Sequence, residues 1–429
     1  MNLLVVVSSY PHAGYVSAGA FNERSVQALK QLGHDVEVLA PRPYVPRGLA
    51  LCNSRWKAYG KIAGRGDHAG VAVYRPAYLQ VPFVGGAFWS DRGAYVCCGA
   101  KAEGRHQEKH YDAILSFNLV GAGGLAWRLA RRLGIPAAGW ATGNDVRFPA
   151  RSSFGRAVGR ALQHLEAVFY QSAELRQKAA ELCGVALEQL AAERHVVLPR
   201  GIERPPRISE HARLSFRQDL GLRDDQLLVL YIGRIVKAKG VFELVEALSI
   251  AGRDYPRIVC LLVGAKTGFD DSAELNSTLS QKPGLGRTVR VLPECPPGKV
   301  WEYLNAADIF AFPSHREGLP NSLLEAMAVG VPAVASAIPP ILEIDGGTGA
   351  LKVVPRLNIQ SLAEAIGELA TSPEKRRAIG EKGKKRVLSH YLAQDKMAEA
   401  VQKLSAVVDE HRRRAALQRH TRTVSPRLS

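Results

Sequence analysis

Short apolar runs alternate with amphipathic stretches along this chain, the alternation stops at a proline-rich link, and then it begins again. In the first half, residues 3–7, 34–40, 111–117 and 135–140 read as strands. Residues 21–32 and 123–133 read as helices, ended by Gly33 and Gly134. A chain that repeats strand and helix in this way builds a parallel sheet with helices on both faces. The alternation breaks at residues 199–208, where Pro205-Pro206 follows Arg200-Gly201-Ile202-Glu203, and a linker is expected there. It resumes with strands at 227–232, 258–263, 289–292, 309–312 and 331–335, and helices at 241–251, 300–305 and 322–329.

At 429 residues the chain exceeds what one hydrophobic core usually supports, so the two runs are expected to form two domains. The expected fold class is α/β, with two Rossmann-like domains facing across a cleft. Residues 1–204 form the first domain and 205–395 the second. Residues 396–429 add a C-terminal helix that packs back on the first domain, and a basic tail. Ligands of open parallel sheets bind beyond the C-terminal ends of the strands.

Other classes are set aside on physical grounds. The N-terminal Met-Asn-Leu-Leu-Val-Val-Val has no basic region before it and ends at Ser8-Ser9-Tyr10-Pro11, so a first buried strand is expected rather than an export signal. No stretch approaches the roughly 20 apolar residues of a spanning helix. Cysteines 52, 97, 98, 183, 260 and 295 contain no C-x-x-C pair, which suits reduced thiols and offers no zinc site. The adjacent Cys97 and Cys98 read as partly buried small apolar residues. The net charge of +17 is uneven: residues 1–200 carry 24 Lys/Arg against 14 Asp/Glu, and the stretch from His411 has six arginines and no acid. That balance points to an anionic partner. Residues 145–163, with Arg147, Arg151, Arg156 and Arg160 among Phe148, Phe154, Val158 and Leu162, read either as a segment lying on an anionic membrane or as a solvated amphipathic helix. Residues 41–70 read as long loops, or helix fragments around Trp56 and Tyr59.

Two loops carry chemistry. In Pro313-Ser-His-Arg-Glu-Gly-Leu-Pro-Asn-Ser-Leu-Leu-Glu-Ala-Met-Ala-Val-Gly330, Glu317 and Gly318 follow a strand, Asn321 is expected to cap a helix, and Glu325 falls one turn inside it. Backbone amides at the glycine and the helix N-terminus suit phosphate oxygens. Two carboxylates there repel a diphosphate unless they bind hydroxyls, and a nucleotide sugar supplies both kinds of group. In Tyr231-Ile-Gly-Arg-Ile-Val-Lys-Ala-Lys-Gly240, Arg234 and Lys239 stand between strand and helix, a planar fork and a point charge for a leaving diphosphate.

Gly233-Arg234-x4-Lys239-Gly240, Leu262-Val263-Gly264 and Glu317-x7-Glu325 together resemble the retaining glycosyltransferases of family 4, which have the GT-B fold. The match is tight over residues 229–334. It is looser in the first half, where 112–145 and Val196-Val-Leu-Pro-Arg-Gly201 still resemble family segments. The resemblance implies a donor held mainly by the second domain. It makes Arg234 and Lys239 diphosphate ligands, Glu317 the contact to the transferred sugar and Glu325 that to the ribose. Gly318 and Leu319 give amides to the phosphate, and Glu294 lies where the base is met. It implies no bound metal and no cofactor, the nucleotide sugar being a substrate. In the first domain Gly14 and Ser17-Ala18-Gly19-Ala20-Phe21 fill the place of the family's glycine loop, which makes Gly19 a donor-phosphate contact. Gly121-Ala122-Gly123-Gly124 reads as a helix-start turn. Many relatives carry a histidine near the acceptor where this chain reads Ser116-Phe117-Asn118. Asp145 is then the remaining candidate for an acceptor-side base, beside the alternative of a cap for the following segment.

The expected activity is transfer of a hexosyl group from a UDP- or GDP-sugar to a lipid-linked or polysaccharide acceptor, in the cytoplasm, at the inner face of an anionic membrane. A GT-B epimerase or phosphorylase of sugar nucleotides is the alternative within enzymes. Outside them stands a basic nucleic-acid-binding protein, for which no RNA-binding, helix-turn-helix or zinc pattern speaks, so no nucleic-acid partner is expected.

Overall fold

The computed structural model describes residues 1–12, 19–46, 60, 62–80, 86–87, 89–266, 270–282 and 284–424. The chain divides into two compact units. Unit 1 is Met1–Arg200 with Ala393–Ser429, and unit 2 is Gly201–Leu392. The sequence boundary at 204/205 thus falls at 200/201, and the last helix begins at Ala393 rather than 396.

Unit 1 holds strands β1 (Asn2–Val6), β2 (Asp35–Leu39), β3 (Arg42–Pro43), β4 (Arg65–His68), β5 (Val71–Tyr74), β6 (Ala77–Tyr78), β7 (Ala113–Ser116), β8 (Ala137–Ala141), β9 (Ala167–Tyr170) and β10 (His195–Val197). Its helices are α1 (Ala20–Gln31), α2 (Ala94–Lys109), α3 (Gly124–Leu133), α4 (Ser153–His164) and α5 (Ala173–Cys183). Eight strands form one sheet in the order β10-β9-β8-β7-β1-β2-β5-β4, while β3 and β6 pair separately. All neighbours in the sheet run parallel except β4, which pairs antiparallel with β5. The strand β4 was not visible in the sequence because Arg-Gly-Asp-His carries no apolar residue; it is an edge strand paired with β5, with His68 Nε2 2.7 Å from Glu23 Oε1.

Alternation along β1 shows why a continuous apolar run is needed. Leu4 and Val6 enter a core with α3, through Leu125 and Leu129, and with α4, through Val158 and Leu162. Leu3 and Val5 enter a second core with Val26 and Leu29 of α1. That second core also takes Met397, Ala400, Leu404 and Val408 from the last helix of the chain.

Unit 2 holds β11 (Leu227–Ile232), β12 (Ile258–Ala265), β13 (Val289–Pro293), β14 (Ile309–Phe312), β15 (Ala333–Ser336) and β16 (Lys352–Val354). Around them lie α6 (Glu210–Asp219), α7 (Val241–Asp254), α8 (Ser272–Ser280), α9 (Val300–Ala306), α10 (Asn321–Val329), α11 (Pro339–Asp345), α12 (Ile359–Thr371) and α13 (Pro373–His390); α14 (Ala393–Val424) returns to unit 1. The six strands are all parallel, in the order β13-β12-β11-β14-β15-β16. The order reverses between β11 and β14, so the loops that follow these two strands leave the sheet side by side. Such a switch point is where an open parallel sheet leaves room for a ligand. In unit 1 the reversal falls between β1 and β7.

Two expectations change in detail. Asn321 does not cap its helix: Pro320 is the N-cap, and no side chain caps α10. Cys98 is buried but Cys97 is exposed. Residues 153–164 do form an amphipathic helix, with Val158 and Leu162 in the core and Arg156 exposed, while Phe148 and Phe154 stack at 5.1 Å. The fragments proposed around Trp56 and Tyr59, and Gly14, Ser17 and Ala18 before α1, lie outside the described residues. No helix among the described residues is long and apolar enough to cross a membrane.

Candidate active site

At the switch point of unit 2 the backbones themselves touch. Gly240, with φ 72°, starts α7, and a Cβ there would lie 2.0 Å from the carbonyl oxygen of Pro313. Gly264, with φ 131°, ends the straight part of β12, and its Cβ would lie 2.1 Å from the carbonyl oxygen of Gly233. Only glycine allows both the backbone angle and the approach. The His315 N–H donates to the Ala238 carbonyl at 3.1 Å. The loops after β11, β12 and β14 are thereby held against one another.

This stacking brings together residues far apart in sequence. Lys239 Nζ donates to Glu317 Oε1, and Ser314 Oγ donates to the same oxygen at 2.8 Å. Glu317 is 9% exposed. Tyr231, fully buried, donates its hydroxyl to the Arg234 carbonyl at 2.9 Å and so sets the turn that carries Arg234. Burial raises the Tyr231 hydroxyl pKa, and the nearby Glu317 carboxylate raises it further, so it stays a donor. The Arg234 side chain itself is exposed and makes no ion pair among the described residues.

The N-terminus of α10 is open. With Pro320 as cap, no side chain satisfies its first N–H groups. The N–H groups of Gly318, which is buried, and Leu319 find no protein acceptor among the described residues. A buried amide without a partner is uncommon, and these two stand beside a helix N-terminus that favours an anion.

Glu325 lies in the second turn of α10 and is buried. The half-buried thiol of Cys295 is pushed up first by burial, with the negative charges of Glu294 and Glu325 adding to the rise. Glu294 is exposed at the end of β13; its N–H donates to the Ala265 carbonyl at 3.1 Å, and its side chain faces Lys266 Nζ at 3.7 Å. Unit 2 therefore gathers Arg234, Lys239, Glu317, Gly318 and Leu319 at the switch point, with Glu325 on the helix that starts there and Glu294 at the end of β13. Sequence reasoning missed Tyr231, Ser314 and Cys295. Ser314 and Tyr231 each carry a polar group beside a charged motif, a signal that spacing alone does not read.

In unit 1, Gly19 is the N-cap of α1, which also lacks a side-chain cap. Asp145 is 2% exposed and its two oxygens are committed. Oδ1 accepts from the N–H groups of Thr142 at 3.1 Å and Gly143 at 2.8 Å, and Oδ2 from those of Thr142 at 3.0 Å and Leu119 at 3.2 Å. The carboxylate clamps the loops after β7 and β8, an arrangement that the reading of an acceptor-side base did not foresee. It does not cap the short helix at Asn144–Val146, whose N-cap is Gly143.

Two parallel-sheet units, one with basic groups, paired carboxylates and free amides at its switch point, define a glycosyltransferase of the GT-B fold. Comparison with known proteins agrees. The family profile described as Glycosyl transferases group 1 matches residues 212–386. The chain is 31% identical over 372 residues to the teichuronic acid biosynthesis glycosyltransferase TuaC of Bacillus subtilis, covering 85% of this chain and 88% of that protein. Its fold matches sucrose-phosphate synthase of Thermosynechococcus elongatus with a TM-score of 0.71 at 20% identity, over 95% of this chain and 100% of that one. It also matches HepE of Anabaena, solved in complex with UDP-glucose, with a TM-score of 0.70 at 16% identity and the same coverage. The chain belongs to the group 1 glycosyl transferases.

Proposed function

We propose that the protein transfers a hexosyl group, with retention at the anomeric carbon, from a UDP- or GDP-linked sugar to a lipid-linked or polysaccharide acceptor in cell-surface glycan synthesis. The observation that carries this reading is the grouping in unit 2 of an exposed, unpaired arginine, a lysine, two buried carboxylates and two free amides at an uncapped helix N-terminus. Arg234 and Lys239 bind the diphosphate, with the amides of Gly318 and Leu319 on its oxygens. Glu317 accepts from hydroxyls of the transferred sugar, Glu325 from those of the ribose, and Glu294 meets the base. Gly19, in unit 1, meets a donor phosphate at the start of α1.

The bond from the anomeric carbon to the diphosphate oxygen breaks, and negative charge grows on the leaving phosphate. Fixed positive groups stabilise that charge without reorganising. The acceptor oxygen bonds to the anomeric carbon from the same face, and its proton passes to the departing phosphate. No acceptor-side base is required, which agrees with the commitment of Asp145 to backbone N–H groups. Before the donor enters, Lys239 and Glu317 neutralise each other; the phosphate then takes the cation and sugar hydroxyls take the carboxylate.

The name of the TuaC relative, teichuronic acid biosynthesis, supports a cell-surface product. Exposed Arg151 and Arg156 beside the Phe148–Phe154 stack support a cytoplasmic protein resting on the anionic inner face of the membrane. A panel of UDP-, GDP- and ADP-hexoses tests the reaction, with products read by NMR. Transfer or slow hydrolysis of a UDP- or GDP-hexose giving a product of unchanged anomeric configuration is expected. Inversion, or isomerisation of the donor without transfer, refutes the proposal.

A further inference from the structure

Arg200 stands three residues beyond β10, at the last position of unit 1's first segment, and is 5% exposed. Its N–H donates to Gln171 Oε1 at 2.9 Å. Its Nη1 donates to Asn22 Oδ1 at 2.8 Å, and the Asn22 amide is anchored in turn by Nδ2 to the Ser9 carbonyl at 2.9 Å. The guanidinium carbon lies 5.1 Å from the ring centroids of both Phe21 and Phe117. Its Nε is buried and donates to nothing.

The cation therefore has two aromatic faces and one neutral amide, and no ion pair among the described residues. Two charges act on it. Asp145 is near enough to favour the charged form, but its oxygens are occupied by backbone N–H groups. Arg24 adds further positive potential. Burial pulls the guanidinium pKa down to about 9, which leaves it charged at neutral pH. A buried guanidinium N–H that donates to nothing is costly and is kept where something completes it.

The surroundings indicate what that is. Ser9 follows β1, Phe117 follows β7, Gln171 follows β9 and Arg200 follows β10, so the group sits at the C-terminal edge of unit 1's sheet, where ligands of such sheets bind. Asn22 is in the first turn of α1, a helix whose N-terminus has no side-chain cap. The one acid of that turn, Glu23, is already 2.7 Å from His68 Nε2.

We propose that Arg200 forms an oxyanion subsite in unit 1 that takes a phosphate or carboxylate group of the substrate this unit receives. The inference rests on the glycosyltransferase reading for the nature of that substrate, and not on the donor residues of unit 2. A phosphorylated acceptor supplies the anion in one case, an acidic sugar in the other.

The full chain, saturated with UDP, is titrated calorimetrically with inorganic phosphate and separately with glucuronate, as wild type, Arg200→Met and Arg200→Lys. One of the two anions binds the wild type, at least tenfold more weakly Arg200→Met, and with intermediate strength Arg200→Lys. Ligand-free Arg200→Met keeps a native circular-dichroism spectrum, its stem filling the space between Phe21 and Phe117, so that the loss of binding is read on a folded chain. Binding of phosphate alone identifies a phosphorylated acceptor, and binding of glucuronate alone an acidic sugar. Binding of neither, or equal binding by wild type and Arg200→Met, overturns the subsite. The preceding UDP titration reads unit 2 by itself, so a chain that binds no UDP refutes the donor assignment separately.

Discussion

The same topological position is built in two ways in the two units. In unit 2 the loops beside the switch point meet through backbone: Gly240 on Pro313, Gly264 on Gly233, and His315 on Ala238. In unit 1 the corresponding strand ends are joined by side chains, with Asp145 clamping Leu119, Thr142 and Gly143, and Arg200 reaching Asn22. Backbone contact demands glycine at fixed places and fixes the charged residues beside it. Side-chain clamps accept many solutions. The first design is suited to holding one constant group, a diphosphate, and the second to a partner that differs from one relative to the next.

The largest expected effect tests the unit 2 side of this contrast. Glu317→Ala lowers kcat/KM by about 10³-fold, the scale of losing a group aimed at the reacting centre. Circular dichroism of the variant stays native, and turnover within tenfold of wild type breaks the assignment. Next comes the core of unit 1. Leu404 of α14 is fully buried against the face that holds α1, so Leu404→Ala costs about 2–5 kcal/mol in denaturant unfolding. Its UDP affinity stays at the wild-type value if unit 2 holds the donor by itself.

Asp145→Asn places an NH₂ against N–H donors and costs about 1–3 kcal/mol. A clamp predicts lost stability with kcat little changed; a base predicts the reverse. The smallest effect is a pH dependence. His195 is buried beside the Tyr170 hydroxyl, 2.8 Å from Nδ1, and burial lowers its pKa to about 4, with Arg194 and Arg176 acting in the same direction. The unfolded chain binds this proton near 6.5, so between the two values the unfolded state holds more protons, and stability falls as pH drops from about 6.5 towards 4. Thermal melts should fall more steeply with decreasing pH over this window for the wild type than for His195→Gln; parallel slopes contradict it.

The same difference explains what the sequence revealed. Alternating apolar runs gave both sheets, and Gly233-Arg234, Lys239-Gly240 and Glu317-x7-Glu325 gave candidate residues that lie together in unit 2, because backbone packing ties them to fixed spacings. Ser9, Phe117, Asp145, Gln171 and Arg200 converge from five strand ends, and Asn22 from the first turn of α1, with no spacing to betray them. Asp145 therefore looked like a base, since its exposure and hydrogen bonds are set by loops that the sequence does not pair. The edge strand β4 was invisible for a related reason, its pairing with β5 and the His68–Glu23 contact leaving no apolar pattern in its own residues.

The central claim is that the loops after β11 and β14 hold a nucleotide diphosphate. Calorimetric titration of UDP and GDP into wild type and Arg234→Ala tests it most directly, since the Arg234 side chain is exposed and its removal leaves no buried group unpaired. The account predicts that one nucleotide binds the wild type and that Arg234→Ala weakens it at least tenfold with an unchanged melting temperature. Equal affinity in the two proteins contradicts it.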